Sequence, residues 1–216
     1  MKNHILNIEG IPGSGKSTAA AKLNVSFRAA GIDSYWAREE APNHPIGTSK
    51  LSRTVDAESL ATSYLDAWRA FVQKNTQIAI LDGYALQSSV RFLFAMNAPE
   101  HTIDRYFINW QKIAQLNSSI VFLKVEDTET HFRDFVFPLR GEDWCEKISS
   151  YVSATPFGRR YNLIGNKGTI EFWSKYQTVC LDLLRDAVVT TRIQSYTDRS
   201  WIESQFDFIQ HAMKNQ

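Results

Sequence analysis

The sequence has little of several features that would place a protein in a special class. Its 216 residues include two cysteines, Cys145 and Cys180, which are too few for a disulfide framework and are not spaced as metal ligands. The net charge is +1, so composition indicates no nucleic-acid or membrane partner. The apolar run near the N-terminus is only as long as a strand, which predicts neither a signal nor a membrane span. We expect a cytoplasmic protein with reduced thiols.

The chain also lacks internal repeats and low-complexity segments, and its length is sufficient for one α/β domain with a large core. Five apolar runs predict strands, at residues 4–9, 33–38, 77–81, 119–125 and 188–196. Helical patterns lie between and after them, at about 15–30, 55–74, 100–115, 171–186 and 201–213. This alternation predicts a single domain over residues 1–216, a three-layer α/β/α sandwich with a mainly parallel central sheet. The oligomeric state stays open, a dimer included.

The most specific signal is the glycine-rich segment that follows the first predicted strand. Gly10, Gly15, Lys16 and Ser17 occupy every fixed position of the pattern Gly-x-x-x-x-Gly-Lys-Ser/Thr. Glycines let successive backbone N–H groups approach a phosphate, and the following helix adds the positive end of its dipole. The segment therefore predicts a nucleoside triphosphate site, formed by Gly10, Ile11, Pro12, Gly13, Ser14, Gly15, Lys16, Ser17 and Thr18.

Three side chains are candidates for handling the phosphates and their metal ion. Lys16 can reach the outer phosphates, and the Ser17 hydroxyl can bind Mg²⁺. Asp82 ends an apolar strand, where a carboxylate beside a phosphate loop can act as a magnesium ligand or a base. The alternative is an Asp-Gly pair that only starts a turn.

Two glutamates follow the second predicted strand, at the start of a segment rich in Pro, Gly, Ser, Asn and His. Glu39 and Glu40 can accept a proton from a substrate hydroxyl or help to hold the metal, and Glu39 is preferred because it is nearer the strand end. The alternative is a solvated pair with Arg38. We expect residues 38–53 to form a loop on the acceptor side of the site.

The polar segment at about 126–166 carries arginines that can stabilise the charge that builds up in phosphoryl transfer. Arg133 and Arg140 are the candidates, and Gly141 next to Arg140 permits movement, so we predict a lid or insertion here. The alternative is that these arginines lie on the solvated surface.

Aromatic residues are plentiful, with 13 Phe, 8 Tyr and 6 Trp. Five of them lie in elements that can wall an acceptor pocket: Trp36, Tyr64, Trp68, Tyr84 and Trp110. Packing in the core is the alternative for each of them. Thr169 stands where a guanine-reading Asn-Lys-x-Asp motif needs its aspartate, so the sequence does not predict that motif.

Residues 10–18 resemble the phosphate loop of the P-loop kinases, the group that includes adenylate, thymidylate and deoxynucleoside kinases. Arg38-Glu39-Glu40-Ala41-Pro42 is similar to the Arg-Glu-Pro stretch that thymidylate kinases place beside the acceptor phosphate. Asp82 matches the acidic residue at the end of the third strand in these kinases. Residues 126–144 look like their lid, with Arg133 and Arg140 in the places of lid arginines. In these kinases an arginine that commonly binds the substrate phosphate usually follows the acidic residue. Gly83 stands at that position here, and this departure argues against a nucleotide acceptor.

The resemblance implies an enzyme that uses ATP and Mg²⁺ and transfers the γ-phosphoryl group to a small-molecule acceptor. Lys16, Asp82, Glu39, Arg133 and Arg140 would then be the catalytic residues, and Ser17 and Asp82 the metal ligands. A nucleoside or nucleotide is the first choice of acceptor. Two alternatives stay open: a kinase of another hydroxylated small molecule such as an antibiotic, and a nucleotide-binding switch or ATPase without a small-molecule acceptor.

Overall fold

A five-stranded parallel sheet forms the centre of the protein in a computed structural model, which describes residues 3–39, 46, 56–114 and 117–214, with side chains as far as residue 207. The strands are β1 (His4–Gly10), β2 (Ser34–Ala37), β3 (Ile78–Asp82), β4 (Ser118–Lys124) and β5 (Thr190–Ser195). Their order is β2-β3-β1-β4-β5. All four pairings are parallel. The predicted parallel sheet is therefore confirmed.

Helices connect the strands and cover both faces of the sheet. They are α1 (Lys16–Ala29), α2 (Ala57–Lys74), α3 (Val90–Ala95), α4 (Glu100–Ala114), α5 (Thr128–His131), α6 (Phe137–Arg140), α7 (Glu142–Ala154), α8 (Pro156–Arg160), α9 (Gly165–Arg185) and α10 (Trp201–Lys214). A π-helical segment, Phe132–Val136, joins α5 to α6. In the described part of the chain, no helix combines the length and the apolar character that crossing a membrane requires.

Two hydrophobic cores lie on opposite faces of the sheet. The larger one packs α2, α4 and α9 against one face, and Trp68 and Trp110 meet edge to face at its centre with ring centroids 5.6 Å apart. The smaller one packs α1 and α10 against the other face through residues such as Leu23 and Trp201. These layers confirm the predicted three-layer α/β/α sandwich.

The polar segment after β4 is almost entirely helical. Helix α5, the π-helical segment and α6 run without a break to Arg140, and Gly141, with φ of 79°, turns the chain into α7. Helix α9 begins at Gly165, before the predicted start at residue 171. The sequence does not predict helix over residues 165–170, because the glycines in this stretch are poor helix formers. Gly168 is nevertheless required there, since a Cβ would overlap the Leu163 backbone.

Candidate active site

A cavity of about 580 Å³ opens at the carboxyl edge of the sheet, where ligands of open α/β folds bind. One side is the phosphate loop, which contributes Pro12, Gly13, Gly15, Lys16, Ser17 and Thr18. The other side and the rim contain Trp36, Arg38, Glu39, Asp82, Gln87, Arg91, Phe135, Leu139, Arg140, Trp144, Ile148, Trp173 and Arg199. The cavity is thus formed by residues from the loop after β1 through to the chain segment after β5.

The phosphate loop connects β1 to α1 in a backbone conformation that requires glycine. Gly10, Gly13 and Gly15 have φ values of 145°, 80° and 89°, a region that side chains disfavour. A Cβ on Gly10 would lie 2.7 Å from Ser14 Oγ and 2.8 Å from the Leu123 carbonyl oxygen. The Lys16 ammonium folds back over the loop and donates to the Ile11 carbonyl at 3.3 Å. The predicted strand, loop and helix therefore bring Gly15, Lys16 and Ser17 of the motif to the surface of one cavity.

Two side chains from distant parts of the chain hold this loop. His131 of α5 lies with Nε2 3.0 Å from the Pro12 carbonyl oxygen, and its ring meets Tyr196 edge to face at 4.8 Å. Burial lowers the pKa of His131, which favours the neutral ring donating from Nε2. Arg199, between β5 and α10, donates to the Ser14 carbonyl oxygen at 3.5 Å. Sequence spacing contains no signal for either residue, because both lie more than a hundred positions from the loop.

Asp82 and Ser17, the two predicted magnesium ligands, line the same cavity. Asp82 is 2% exposed and pairs in register with Ile8 of β1, next to the start of the phosphate loop. A hydroxyl and a carboxylate are the hard oxygen donors that suit Mg²⁺, which takes few protein ligands and keeps several waters. Within the described residues, no cluster of three or more His, Cys, Asp or Glu side chains forms a separate metal site.

Glu39 also lies in the cavity, directly after β2. Gln87 Nε2 donates to Glu39 Oε2 at 2.6 Å. Burial raises the pKa of Glu39, the positive charges of Lys16 and Arg91 oppose this rise, and the negative charge of Asp82 adds to it. Glu40 and most of the predicted acceptor-side loop at 38–53 lie outside the described residues, so their roles stay predictions.

Glu9 is a buried carboxylate that the sequence reading did not single out. Its Oε1 accepts from the backbone N–H groups of Ala85 at 2.6 Å and Leu86 at 3.1 Å, and its Oε2 accepts from that of Gln87 at 3.1 Å. Burial raises the pKa of Glu9 to about 7, although the three N–H donors and the charge of Lys16 act to lower it. A lone acid in a buried apolar strand, directly before Gly10, is the signal that would have identified it.

Arg91 of α3 is a second residue that sequence reasoning missed. Its Nε donates to the Gln87 carbonyl oxygen at 3.0 Å, and its Nη1 donates to the Tyr151 hydroxyl at 2.8 Å. Its guanidinium also lies 4.2 Å from the centre of the Phe92 ring. Arg91 therefore ties the turn after β3 to helix α7 and adds positive charge to the cavity.

The two predicted lid arginines occupy different positions. Arg140 lines the cavity, with its guanidinium 5.7 Å from the centre of the Trp144 ring. Arg133 is exposed and forms ion pairs with Asp134 at 2.7 Å and with Glu129 at 3.7 Å. These neighbouring carboxylates hold Arg133 on the outer side of the helix, and it is not among the residues that line the cavity.

Most of the aromatic residues suggested as pocket walls pack in the core. Tyr64, Trp68 and Trp110 are at most 1% exposed and belong to the larger core. Tyr84 is also buried and donates from its hydroxyl to the Arg38 carbonyl oxygen at 3.0 Å. Of the five, only Trp36 lines the cavity, because it lies on the edge strand β2. The remaining cavity aromatics, Phe135, Trp144 and Trp173, come from the π-helical segment, α7 and α9.

The fold of this chain is similar to that of proteins with solved structures. No protein-family model matches the chain, and no curated protein is significantly similar to it in sequence. Among solved structures, it is similar to the YorR protein of Bacillus subtilis in complex with phosphorylated GDP, with 13% identity, a TM-score of 0.52, and coverage of 97% of this chain and 95% of YorR. It is also similar to thymidylate kinase from Ehrlichia chaffeensis, with 12% identity, a TM-score of 0.53, and coverage of 97% and 99% respectively. The chain therefore has a P-loop nucleoside/nucleotide kinase-like fold, as the resemblance of residues 10–18 implied.

Proposed function

We propose that this protein is an ATP-dependent phosphotransferase that moves the γ-phosphoryl group to a hydroxyl of a small molecule, with a nucleoside or nucleotide as the first choice. The observation that carries the proposal is that Glu39 shares one cavity with Lys16, Ser17 and Asp82. A carboxylate that can accept a proton thus faces the same space as the groups suited to a triphosphate. Phosphoryl transfer needs both in one place.

The donor half of the site would act mainly by binding and by neutralising charge. Backbone N–H groups of residues 10–18 and the N-terminus of α1 would hold the phosphates, with Lys16 at the outer ones. Ser17 and Asp82 would hold Mg²⁺, which supplies positive charge at the phosphate oxygens. Arg199 and Arg140 line the cavity and can add further charge, whereas a role for Arg133 stays a prediction.

The acceptor half would orient and deprotonate the reacting hydroxyl. As the acceptor oxygen forms its bond to the γ-phosphorus, the bond from that phosphorus to the β,γ-bridging oxygen breaks and ADP leaves. Glu39 takes the proton of the hydroxyl and later releases it to water. Its raised pKa suits this task, because a carboxylate with a higher pKa is a stronger base.

The shape of the cavity supports an acceptor larger than water. Trp36, Trp144 and Trp173 form apolar walls beyond the phosphate loop, and these are typical of a site for a planar or apolar group. A switch or ATPase with water as its acceptor has no use for such walls. An antibiotic-like alcohol suits the same walls, so it remains the second candidate acceptor.

A screen of ATP consumption with nucleosides, nucleotides and aminoglycoside-like alcohols tests the proposal, together with detection of the phosphorylated product. We expect Lys16→Ala to lower transfer by at least about 100-fold, since it removes a charge on the transferring group. The matched control is Lys22→Ala, because Lys22 is exposed on the same helix. Circular dichroism should show both variants folded. Undiminished transfer by Lys16→Ala contradicts the mechanism, and stimulation by no acceptor favours the switch.

A further inference from the structure

Within the described residues, the side chain of Gln87 has one hydrogen-bonding atom without a partner. Gln87 is 5% exposed, and its Nε2 donates to the Glu39 carboxylate at 2.6 Å. This bond directs the amide nitrogen toward Glu39 and the amide oxygen away from it. Gln87 Oε1 is buried and has no hydrogen-bond partner among the described residues. A buried carbonyl without a donor destabilises the protein, and a donor on a ligand can recover that loss.

The protein holds Gln87 rigidly in this position. Its backbone N–H donates to Glu9 Oε2 at 3.1 Å, and its carbonyl oxygen accepts from Arg91 Nε at 3.0 Å. Both backbone groups and one side-chain atom are therefore fixed before any ligand arrives. A preorganised polar group of this kind is typical of a recognition site.

Gly83 makes room for the pair formed by Glu39 and Gln87. A Cβ on Gly83 would lie 3.3 Å from Glu39 Oε2 and 3.4 Å from Gln87 Oε1. A Cβ would therefore be tight against Glu39, and the φ of 74° at Gly83 also favours glycine. Because Gly83 has no side chain, Glu39 Oε2 and Gln87 Oε1 can lie beside the backbone at the end of β3.

We propose that Glu39 and Gln87 form an acceptor subsite for two neighbouring hydrogen-bond donors of one molecule. The reacting hydroxyl binds to Glu39, and a second hydroxyl or an amino group binds to Gln87 Oε1. The proposal rests on the proposed function and narrows its substrate class to polyols and amino alcohols, such as the sugar of a nucleoside or an aminoglycoside. Gln87 Nε2 is hydrogen-bonded to Glu39 Oε2, and Oε1 belongs to the same amide group, so the two oxygens are close together. The two donors that bind them must therefore lie on neighbouring parts of the acceptor.

The charges at this point also select against an anionic group. A phosphate on the acceptor would meet the Glu39 carboxylate and the negative end of the Gln87 amide dipole. Arg91, one of the cations whose charge acts on Glu39, already donates to the Gln87 carbonyl oxygen and the Tyr151 hydroxyl. An acceptor phosphate therefore has to lie elsewhere in the cavity, away from the subsite.

The test compares acceptors that differ by one donor, using steady-state kinetics with saturating ATP and Mg²⁺. The pairs are adenosine with 3′-deoxyadenosine, thymidine with 3′-deoxythymidine, and kanamycin B with its 3′-deoxy derivative. For the pair that is phosphorylated, we expect the acceptor with the second donor to have at least about a tenfold higher kcat/KM. In Gln87→Met this ratio should fall to about threefold or less, because the KM rises for the acceptor that carries the second donor. The KM for ATP should not change.

Two further variants separate recognition from folding. Gln73→Met is the matched control, because Gln73 is exposed on α2, and it should keep the wild-type ratio. Gln87→Asn retains an amide but withdraws its oxygen, and it should also lower the ratio. Equal rates for both members of a pair in the wild type, or an unchanged ratio in Gln87→Met, overturn the subsite alone. Phosphorylation of none of the acceptors overturns the proposed function, and the subsite with it.

Discussion

At the scale of single residues, Glu39 is where the environment most clearly alters the chemistry of a side chain. Burial and the nearby Asp82 favour its neutral form, while Lys16 and Arg91 favour the charged form. The net result is a raised pKa, so Glu39 becomes a better proton acceptor than an exposed glutamate once it is ionised. The bond from Gln87 then keeps one carboxylate oxygen in a fixed position.

We predict that Glu39→Gln lowers kcat by about 10²- to 10⁴-fold, because it removes the base while keeping the shape of the side chain. The pH dependence follows from the raised pKa. Wild-type activity should rise with pH through an apparent pKa above the ordinary value of 4.5, since only the ionised form accepts the proton. Measurement of kcat/KM for the acceptor from pH 4 to 8 checks both points.

The exposed Glu171 provides the control, and Glu171→Gln should retain the wild-type rate and pH profile. A Glu39→Gln variant with full activity and an unchanged acidic limb would show that another group takes the proton.

At the scale of elements, the phosphate loop and the helical segment after β4 are in direct contact. The Pro12 carbonyl oxygen accepts from His131, and Gly13 lies beneath the same segment. A Cβ on Gly13 would lie 2.5 Å from Val136 Cγ2 and 2.9 Å from His131 Nε2. The segment that carries Arg140 is therefore positioned by its contact with the glycine-rich loop.

We predict that Gly13→Ala raises the KM for ATP by at least about tenfold, because the methyl group pushes the π-helical segment and the loop apart. Gly31→Ala is a matched control. Gly31 has a φ of 73°, close to the 80° of Gly13, but no atom lies within 4 Å of its Cβ position. Both variants should lose about 1–2 kcal/mol of stability from backbone strain, and only Gly13→Ala should change ATP kinetics. Equal effects on ATP kinetics would contradict the role of the contact.

At the scale of the whole molecule, Glu9 joins the central strand to the turn that carries Gln87. It lies at the end of β1, where the phosphate loop starts, and accepts from three successive backbone N–H groups after β3. The donor and acceptor halves of the cavity are thus fixed by one buried carboxylate. The free energy of unfolding should reflect its ionisation, because an unfolded chain exposes it to water.

The sign of this pH effect follows from a folded pKa of about 7 against an ordinary 4.5. The folded state favours the protonated form, so this contribution to stability is complete below pH 4.5 and disappears as pH rises to 7. We predict that the stability of the wild type, relative to Glu9→Gln, falls by about 3 kcal/mol over this range and is constant above it. Urea denaturation of both proteins at pH 4.5, 6, 7 and 8 measures this difference. If the difference instead grows with pH, the three N–H donors outweigh burial.

The sequence alone was sufficient for the parallel α/β architecture and for the position of the glycine-rich loop between β1 and α1. Strands and helices have local periodicity, and the motif residues at Gly10–Thr18 are consecutive, so neither inference requires knowledge of distant contacts. The positions of Asp82 and Glu39 at the ends of strands could also be inferred, since the carboxyl ends of parallel strands meet at one edge.

Only the tertiary structure decided which other residues belong to the site. His131 and Arg199 contact the phosphate loop from more than a hundred positions away, and Glu9 of β1 accepts from residues 85–87 after the neighbouring strand β3. Arg133 and Arg140 look equivalent in sequence, yet neighbouring carboxylates hold Arg133 on the exterior while Arg140 lines the cavity. Such contacts depend on how the elements pack, and local sequence patterns contain no information about partners so far apart. Gly83 illustrates both levels. The sequence shows that it departs from the P-loop kinases that residues 10–18 resemble, and the structure shows that Glu39 and Gln87 lie beside it.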